Sequence, residues 1–306
     1  MSIYSLKEHI FKKIFCWISI VFISFQLQAQ DQVICSKIVE TYQFSDFLSE
    51  IDQNTVVFFD IDDTLINTTS ILGNTAWWSY FTSKLAKVEI SMSTYPEVYH
   101  VIQKIIREVP MHVIDPSAAK IIQGLQQQGI LTFALTARCL NANYIHHADQ
   151  YAYEHLKSVG IDFSHISLPK GVDRKGISFF SYGIIFTDYQ EKGPFLKLFL
   201  NTIGLHPEKI IFIDDSPRQM KSVASVVESM GIEFRGFRYC KLDQFHRKFD
   251  ALIANIQLES LIKEGRVLSD EEAVKKAQLK EYKDPDYFVN ELMTKWGQSG
   301  EELIKK

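Results

Sequence analysis

From Val56 to Tyr239, short apolar runs alternate with stretches of helical periodicity, and this alternation restricts the possible folds more than any other feature of the chain. Runs rich in β-branched and aromatic residues, and too short for helices, read as strands buried on both faces: Val56-Val57-Phe58-Phe59, Ile130 to Leu135, Ile184-Ile185-Phe186, Ile210 to Ile213 and Phe234 to Tyr239. Strands that alternate with helical segments imply an α/β fold built on a parallel sheet. The helix signals agree. Asp115-Pro116 offers an N-cap followed by Pro at the first position, ahead of a periodic stretch from Ala118 to Gln128 that stops at Gly129. Ser216-Pro217 repeats the device for a helix to about Met230, stopped by Gly231, and a third helix runs from Lys192-Gly193-Pro194 through Ile203 to Gly204.

Three segments depart from the alternation. Residues 66–109 are aromatic-rich and helical where a simple crossover needs far fewer residues, so a helical cap inserted into the α/β core, residues 30–65 and 110–240, is expected. Residues 241–306 read as a helical extension, with Ser269-Asp270-Glu271-Glu272 forming a capping box, and are expected to pack on the core. In residues 1–29, Lys7, Lys12 and Lys13 precede the apolar stretch Ile14 to Phe25 and the small-residue context Leu27-Gln28-Ala29. That is the layout of a signal peptide cleaved near Ala29, which predicts a periplasmic or secreted protein with no stable membrane span after cleavage.

The chain has 306 residues, 46% of them hydrophobic, enough for a substantial core. Its formal charge of −4 carries no basic footprint for nucleic acid, which leaves a small solute or another protein as partner. Loss of the first 29 residues removes Cys16 and leaves Cys35, Cys139 and Cys240, which allow at most one intramolecular disulfide. No Cys/His spacing suits zinc.

Asp60-Ile61-Asp62-Asp63-Thr64 directly follows the first strong strand, at the carboxyl end where open parallel sheets place ligands. Side chains at i and i+2 of an extended segment share a face, so Asp60 and Asp62 can address one substrate. Thr136 ends the second run, Lys192 opens the helix after the third, and Asp214-Asp215 ends the fourth. In order and position this set resembles the haloacid dehalogenase superfamily, whose motifs are Asp-x-Asp-x-Thr, a Thr or Ser, a Lys and a pair of acids.

That resemblance implies a Rossmann-like core. It also implies a Mg²⁺-dependent phosphohydrolase with Asp60 as the nucleophile that forms an aspartyl-phosphate and Asp62 as general acid and base. It assigns the metal to Asp60, the Asp62 backbone carbonyl, Asp214 and Asp215, and substrate binding to Thr136, Ala137 and Lys192. Mg²⁺ suits an all-oxygen site where a phosphate meets an anionic nucleophile. Asp62 disfavours dehalogenation, since family members that cleave carbon–halogen bonds lack that second acid. The expected substrate is a small phosphoester or a phosphoprotein. Arg138 is read as a substrate contact or a structural ion pair, and Asp63 and Asp188 as turn or pairing residues. In the cap, Trp77, Trp78, Tyr80, Phe81, Tyr95 and Tyr99 could line the inner wall or pack the cap itself. The signal, the Trp77-Trp78 region and the Leu268 to Ala273 segment are also similar to an exported bacterial subgroup, DUF2608. A phosphotransferase on the same scaffold, and an idle fold retained as an exported interaction module, are the competing functions.

Overall fold

A computed structural model describes residues 37–304, apart from 91–94, 141–146, 167, 169–175, 247 and 280. The expected signal peptide and Cys35 lie outside the described residues.

The apolar runs form the strands they predict. β1 (Ile38–Thr41), β2 (Thr55–Phe59), β5 (Leu131–Thr136), β6 (Phe180–Ser181), β7 (Ile184–Phe186), β8 (Lys209–Asp214) and β9 (Glu233–Tyr239) make one seven-stranded sheet. Its order is β1-β9-β8-β2-β5-β7-β6, parallel throughout except for the β6–β7 pair. After β2 the chain passes to β5 on one side and later returns to β8 on the other, so β2 stands at the topological switch point. Every residue of β2 is buried. Its alternation sends Phe58 to one face, stacked on Phe133 at 5.4 Å, and Phe59 to the other, against Phe47 at 5.6 Å.

Between β2 and β5 lie β3 (Ile66–Thr68), α1 (Thr75–Lys87), α2 (Pro96–Glu108), β4 (Met111–Val113) and α3 (Ala118–Gln127). β3 and β4 pair antiparallel, so a short ribbon forms the neck from which α1 and α2 project. α4 (Ala148–Ser158) precedes β6, α5 (Lys192–Ile203) follows β7, and α6 (Pro217–Ser229) connects β8 to β9. The chain closes with α7 (Asp243–His246), α8 (Ala251–Glu264), α9 (Asp270–Leu279) and α10 (Tyr287–Ile304).

Asp115 does not cap α3. Its carboxylate accepts hydrogen bonds from the backbone N–H and hydroxyl of Ser117 in a turn, and the helix begins after Ser117. Ser216 does cap α6, accepting from Gln219 N–H at 3.4 Å, and α5 stops at Gly204 in the left-handed conformation. The Ser269 capping box forms reciprocally: Ser269 N–H donates to Glu272 at 2.9 Å, and Glu272 N–H to the Ser269 hydroxyl at 3.2 Å.

The C-terminal helices do not join the core under the sheet. Ala254, Leu258, Leu261, Phe288, Leu292 and Trp296 are buried in one cluster with Trp77, Phe81 and Leu85 of α1. Polar groups fasten the same joint: Leu72 N–H donates to Gln257 Oε1, Ile71 N–H to Asp270, and Asn255 to the Tyr80 hydroxyl. Helical periodicity tells which face of a helix seeks cover and says nothing of its partner, which is why the sequence-based expectation of packing on the core fails here.

α5 and α6 approach most closely at Gly193. A Cβ there would lie 2.3 Å from the carbonyl oxygen of Ser222, and Gly193 N–H donates to the Ser222 hydroxyl at 3.1 Å. Gly193→Ala should therefore destabilise the protein by about 2–4 kcal/mol, because backbone must move. Gly124→Ala, in open space on α3, should stabilise by about 0.5–1 kcal/mol. Urea midpoints of the two variants test this pair.

Candidate active site

Each element that ends at the switch point delivers one group. Asp60 directly follows β2, and its backbone N–H donates to Ile213 O at 2.9 Å; β8 ends in Asp214, and α5 begins with Lys192. All three are almost fully buried: Asp60 is 4% exposed, Lys192 2% and Asp214 0%. The Lys192 ammonium donates to Asp60 Oδ1 and to Asp214 Oδ2, each at 2.5 Å. Thr64, the last residue of the Asp-x-Asp-x-Thr motif, donates to Asp60 Oδ2 at 3.3 Å and accepts from Asp215 N–H at 3.1 Å, tying the two acidic loops together. Asp214 Oδ1 accepts from Ser216 N–H at 2.7 Å. Carboxylate oxygens of Asp60, Asp214 and Asp215 consequently lie within 4.8 Å of one another.

Three carboxylates share one ammonium, and their proton affinities record it. Burial raises the Asp60 carboxyl to about 7, with the neighbouring Asp214 and Asp62 adding to the effect against Lys192. Burial and the charges of Asp214 and Asp60 lift Asp215 to about 9, and burial lifts Asp214 despite Lys192. For Lys192, burial disfavours the charged form, but Asp214 and Asp60 outweigh it and keep the ammonium. An all-oxygen donor set with surplus negative charge fits a hard divalent cation such as Mg²⁺. The residues brought together to hold it are Asp60, Asp214 and Asp215.

A pH signature follows. Carboxyls raised above their value of 3.8 bind protons more tightly in the folded chain than in the unfolded one, so folding stability falls as pH rises from 3.8 through the folded values. His155 acts oppositely: burial and Arg138 lower it from 6.5 to about 4, so its contribution rises with pH and is complete above 6.5. Between pH 6.5 and 9, chelator-treated protein should thus lose stability. Asp215→Asn should flatten that slope and saturating Mg²⁺ should remove it, as thermal melts across the range will reveal.

Asp62 has a different setting. The Arg138 guanidinium grips it with two hydrogen bonds, Nε to Oδ2 at 2.8 Å and Nη2 to Oδ1 at 2.6 Å. Burial opposes the charged carboxylate, but Arg138 holds Asp62 below the usual range and therefore ionised. Of the two sequence-based readings of Arg138, the structure has the ion pair. His155 Nδ1 lies 3.2 Å from Arg138 Nη1 and its Nε2 lies 2.9 Å from Ile106 O. A neutral imidazole placed so accepts from Arg138 and donates to the α2 carbonyl, linking the loop after β5 to the cap.

Thr136 is fully buried, and its hydroxyl accepts from Arg138 N–H at 3.2 Å. Ala137 and Arg138 line the cleft. Gln219 escaped the sequence reading: its side-chain oxygen accepts from Lys192 N–H at 2.9 Å and fixes the start of α5. The signal was present in Ser216-Pro217-Arg218-Gln219, a capping-box pattern whose Gln turns to the neighbouring helix instead. The cleft measures about 640 Å³ and lies between these strand ends and the inserted helices. Asp63, with φ at 61°, and Asp188, with φ at 49°, take left-handed turn conformations, while Cys139 and Cys240 are buried free thiols. Among the described residues no helix is long and apolar enough to cross a membrane.

A doubly wound α/β domain with a buried carboxylate cluster at its switch point, roofed by an inserted cap, is the class of protein that this fold and site define. The chain belongs to the family described as "Protein of unknown function (DUF2608)", which matches residues 39–274. It is similar to an uncharacterized protein of Rickettsia prowazekii, with 25% identity over 80% of this chain and 90% of that protein. It is also similar to proteins named "Putative outer membrane protein" from Chlamydia trachomatis and Chlamydia pneumoniae, each 26% identical over 64% of this chain and 72% of the relative. No solved structure matches significantly.

Proposed function

We propose that the protein is a Mg²⁺-dependent phosphomonoesterase that works through an aspartyl-phosphate on Asp60. The observation that supports this reading is the convergence of Asp60, Asp214, Asp215 and Lys192 at the switch point, open to a cleft large enough for a small ester. Mg²⁺ held there would neutralise the carboxylates and the incoming phosphate. Asp60 attacks phosphorus, a P–O bond to Asp60 forms, and the P–O bond to the alcohol breaks. The departing oxygen takes a proton from Asp62. Water then attacks the phospho-Asp60, Asp62 accepts its proton, and phosphate and free Asp60 are regenerated. Lys192 holds charge at Asp60 throughout. Asp62 is paired with Arg138 in its ionised form, the state required of the base; to act as acid it must first exchange part of that pairing for a proton.

The test is inorganic phosphate release from a phosphoester panel by protein lacking residues 1–29, with Mg²⁺ or with chelator. Metal-dependent release establishes the hydrolase, and transfer to added alcohols in place of release identifies a phosphotransferase. Export is proposed with it, on the sequence of residues 1–29 and the names of the chlamydial relatives. Those names also favour the second reading, an exported binding module on the same fold, which gains if no ester is cleaved under any condition.

A further inference from the structure

The cap's contribution to the cleft is uncharged. The seven Asp, Arg and Lys side chains that line it, five Asp, Arg138 and Lys192, come from the carboxyl ends of β2, β5 and β8 and from the start of α5; the twelve lining residues from Asn67 to Met111 carry no charge. Helical spacing explains the wall. Thr75, Trp78, Ser79 and Thr82 recur on one face of α1, while Trp77, Phe81 and Leu85 occupy another face against the C-terminal helices. Lys84 of the same helix is turned away, paired with Asp286. The hydroxyls of Ser79 and Thr82 donate to carbonyls of their own helix, so they face a ligand as acceptors. From α2, Ile102, Ile105 and Ile106 add an apolar surface.

Trp78 is half-buried and braced. Its ring meets that of Trp77 edge-on at 4.9 Å, and Trp77 in turn stacks on Phe81 at 4.7 Å. An indole and three isoleucines lining the cap side of the cavity that the acidic centre also lines, within the roughly 300–1,000 Å³ of small-molecule sites, are suited to a ring. A second ionised group on the substrate would lose its water against this wall without an opposite charge there to pair with.

We propose that the cleft takes a phosphomonoester of an uncharged alcohol bearing a flat ring, phosphate at the acidic centre and ring against Trp78. The assignment rests on the phosphatase reading and narrows it to a substrate class.

The experiment compares naphthyl phosphate and nucleoside monophosphates with phosphoserine and phosphoglycerate, in both turnover and binding. Turnover by wild-type protein should favour the ring esters by about 100-fold or more in kcat/KM, Trp78→Ala should remove most of that preference, and Thr82→Lys should raise the relative kcat/KM of phosphoglycerate. Binding is read separately, as quenching of tryptophan fluorescence by naphthyl phosphate in Asp60→Asn protein at Mg²⁺ concentrations that saturate its weakened metal site. Equal turnover of ring and charged esters overturns the substrate class and leaves the phosphatase standing. Binding that depends on Trp78 without any turnover by wild-type protein supports the ligand class and removes the phosphatase reading. Neither binding nor turnover of a ring ester overturns both.

Discussion

Asp60→Asn should abolish phosphate release, by about 1,000-fold or more, while leaving metal-free protein at least as stable as the wild type near pH 8. The two halves of that result share one cause. A neutral amide is a poor nucleophile toward phosphorus, so the covalent step is lost. The same exchange removes one of three carboxylates that crowd a single ammonium, and Asp60 sits there with its carboxyl raised to about 7, a group the fold would rather keep neutral. Loss of function by unfolding predicts the opposite stability change, so phosphate assay and thermal melt on the same preparation separate the two. Mg²⁺ adds a third reading. At a concentration 100 times its dissociation constant, a ligand specific to the folded state stabilises it by about 2.7 kcal/mol. Wild-type protein should display an increment of that order, and Asp60→Asn much less.

Deletion from residue 250 onward should leave the α/β core folded and unroof the cap. Trp77 and Phe81 are fully buried in a cluster shared with α8 and α10, and fully burying one large apolar side chain contributes roughly 1.5–3 kcal/mol. Those two alone represent a large share of the about 5–15 kcal/mol that holds a typical domain. Leu72 and Ile71 would also lose the acceptors of their backbone N–H groups on Gln257 and Asp270. The truncated chain should bind a dye specific for exposed apolar surface and resist proteolysis only outside residues 66–109. Activity retained by such a truncation would mean that the cap stands without the extension. Trp296→Ala is the milder form, with an expected loss of about 3–5 kcal/mol.

How far the chain could be read depended on what each segment buries. β2, β5, β7 and β8 were legible because nearly all their residues are buried on both faces, and β9 because its aromatic residues Phe234, Phe237 and Tyr239 stand out between partly exposed arginines. β1 was not, since Ile38-Val39-Glu40-Thr41 lies at the sheet edge and only Thr41 is fully buried, leaving no apolar run to notice. The three-residue strands β3 and β4 are too short to carry a period. At the site, Asp60, Lys192, Asp214 and Asp215 were placed by their position at strand and helix ends, which topology converts into proximity. His155 and Gln219 act through hydrogen bonds to residues 17 and 27 positions away, and no local pattern announces such a partner. The buried polar side chains of α8, Asn255, Gln257 and Ser260, were a readable sign that this helix joins something specific; what it joins emerged only in three dimensions.

The cap is completed from the far end of the chain. Tyr80 reaches Asp286 across 206 positions, so α1 is synthesised long before the helices that cover it. At about 5–20 residues per second, that interval is on the order of 10–40 s, during which Trp77 and Phe81 have no native cover. The α/β core can close as soon as β9 emerges, whereas the cleft acquires its roof only after α10 is released. The roof should therefore form well after the core that it covers, and a holding chaperone has its natural target in α1 until then.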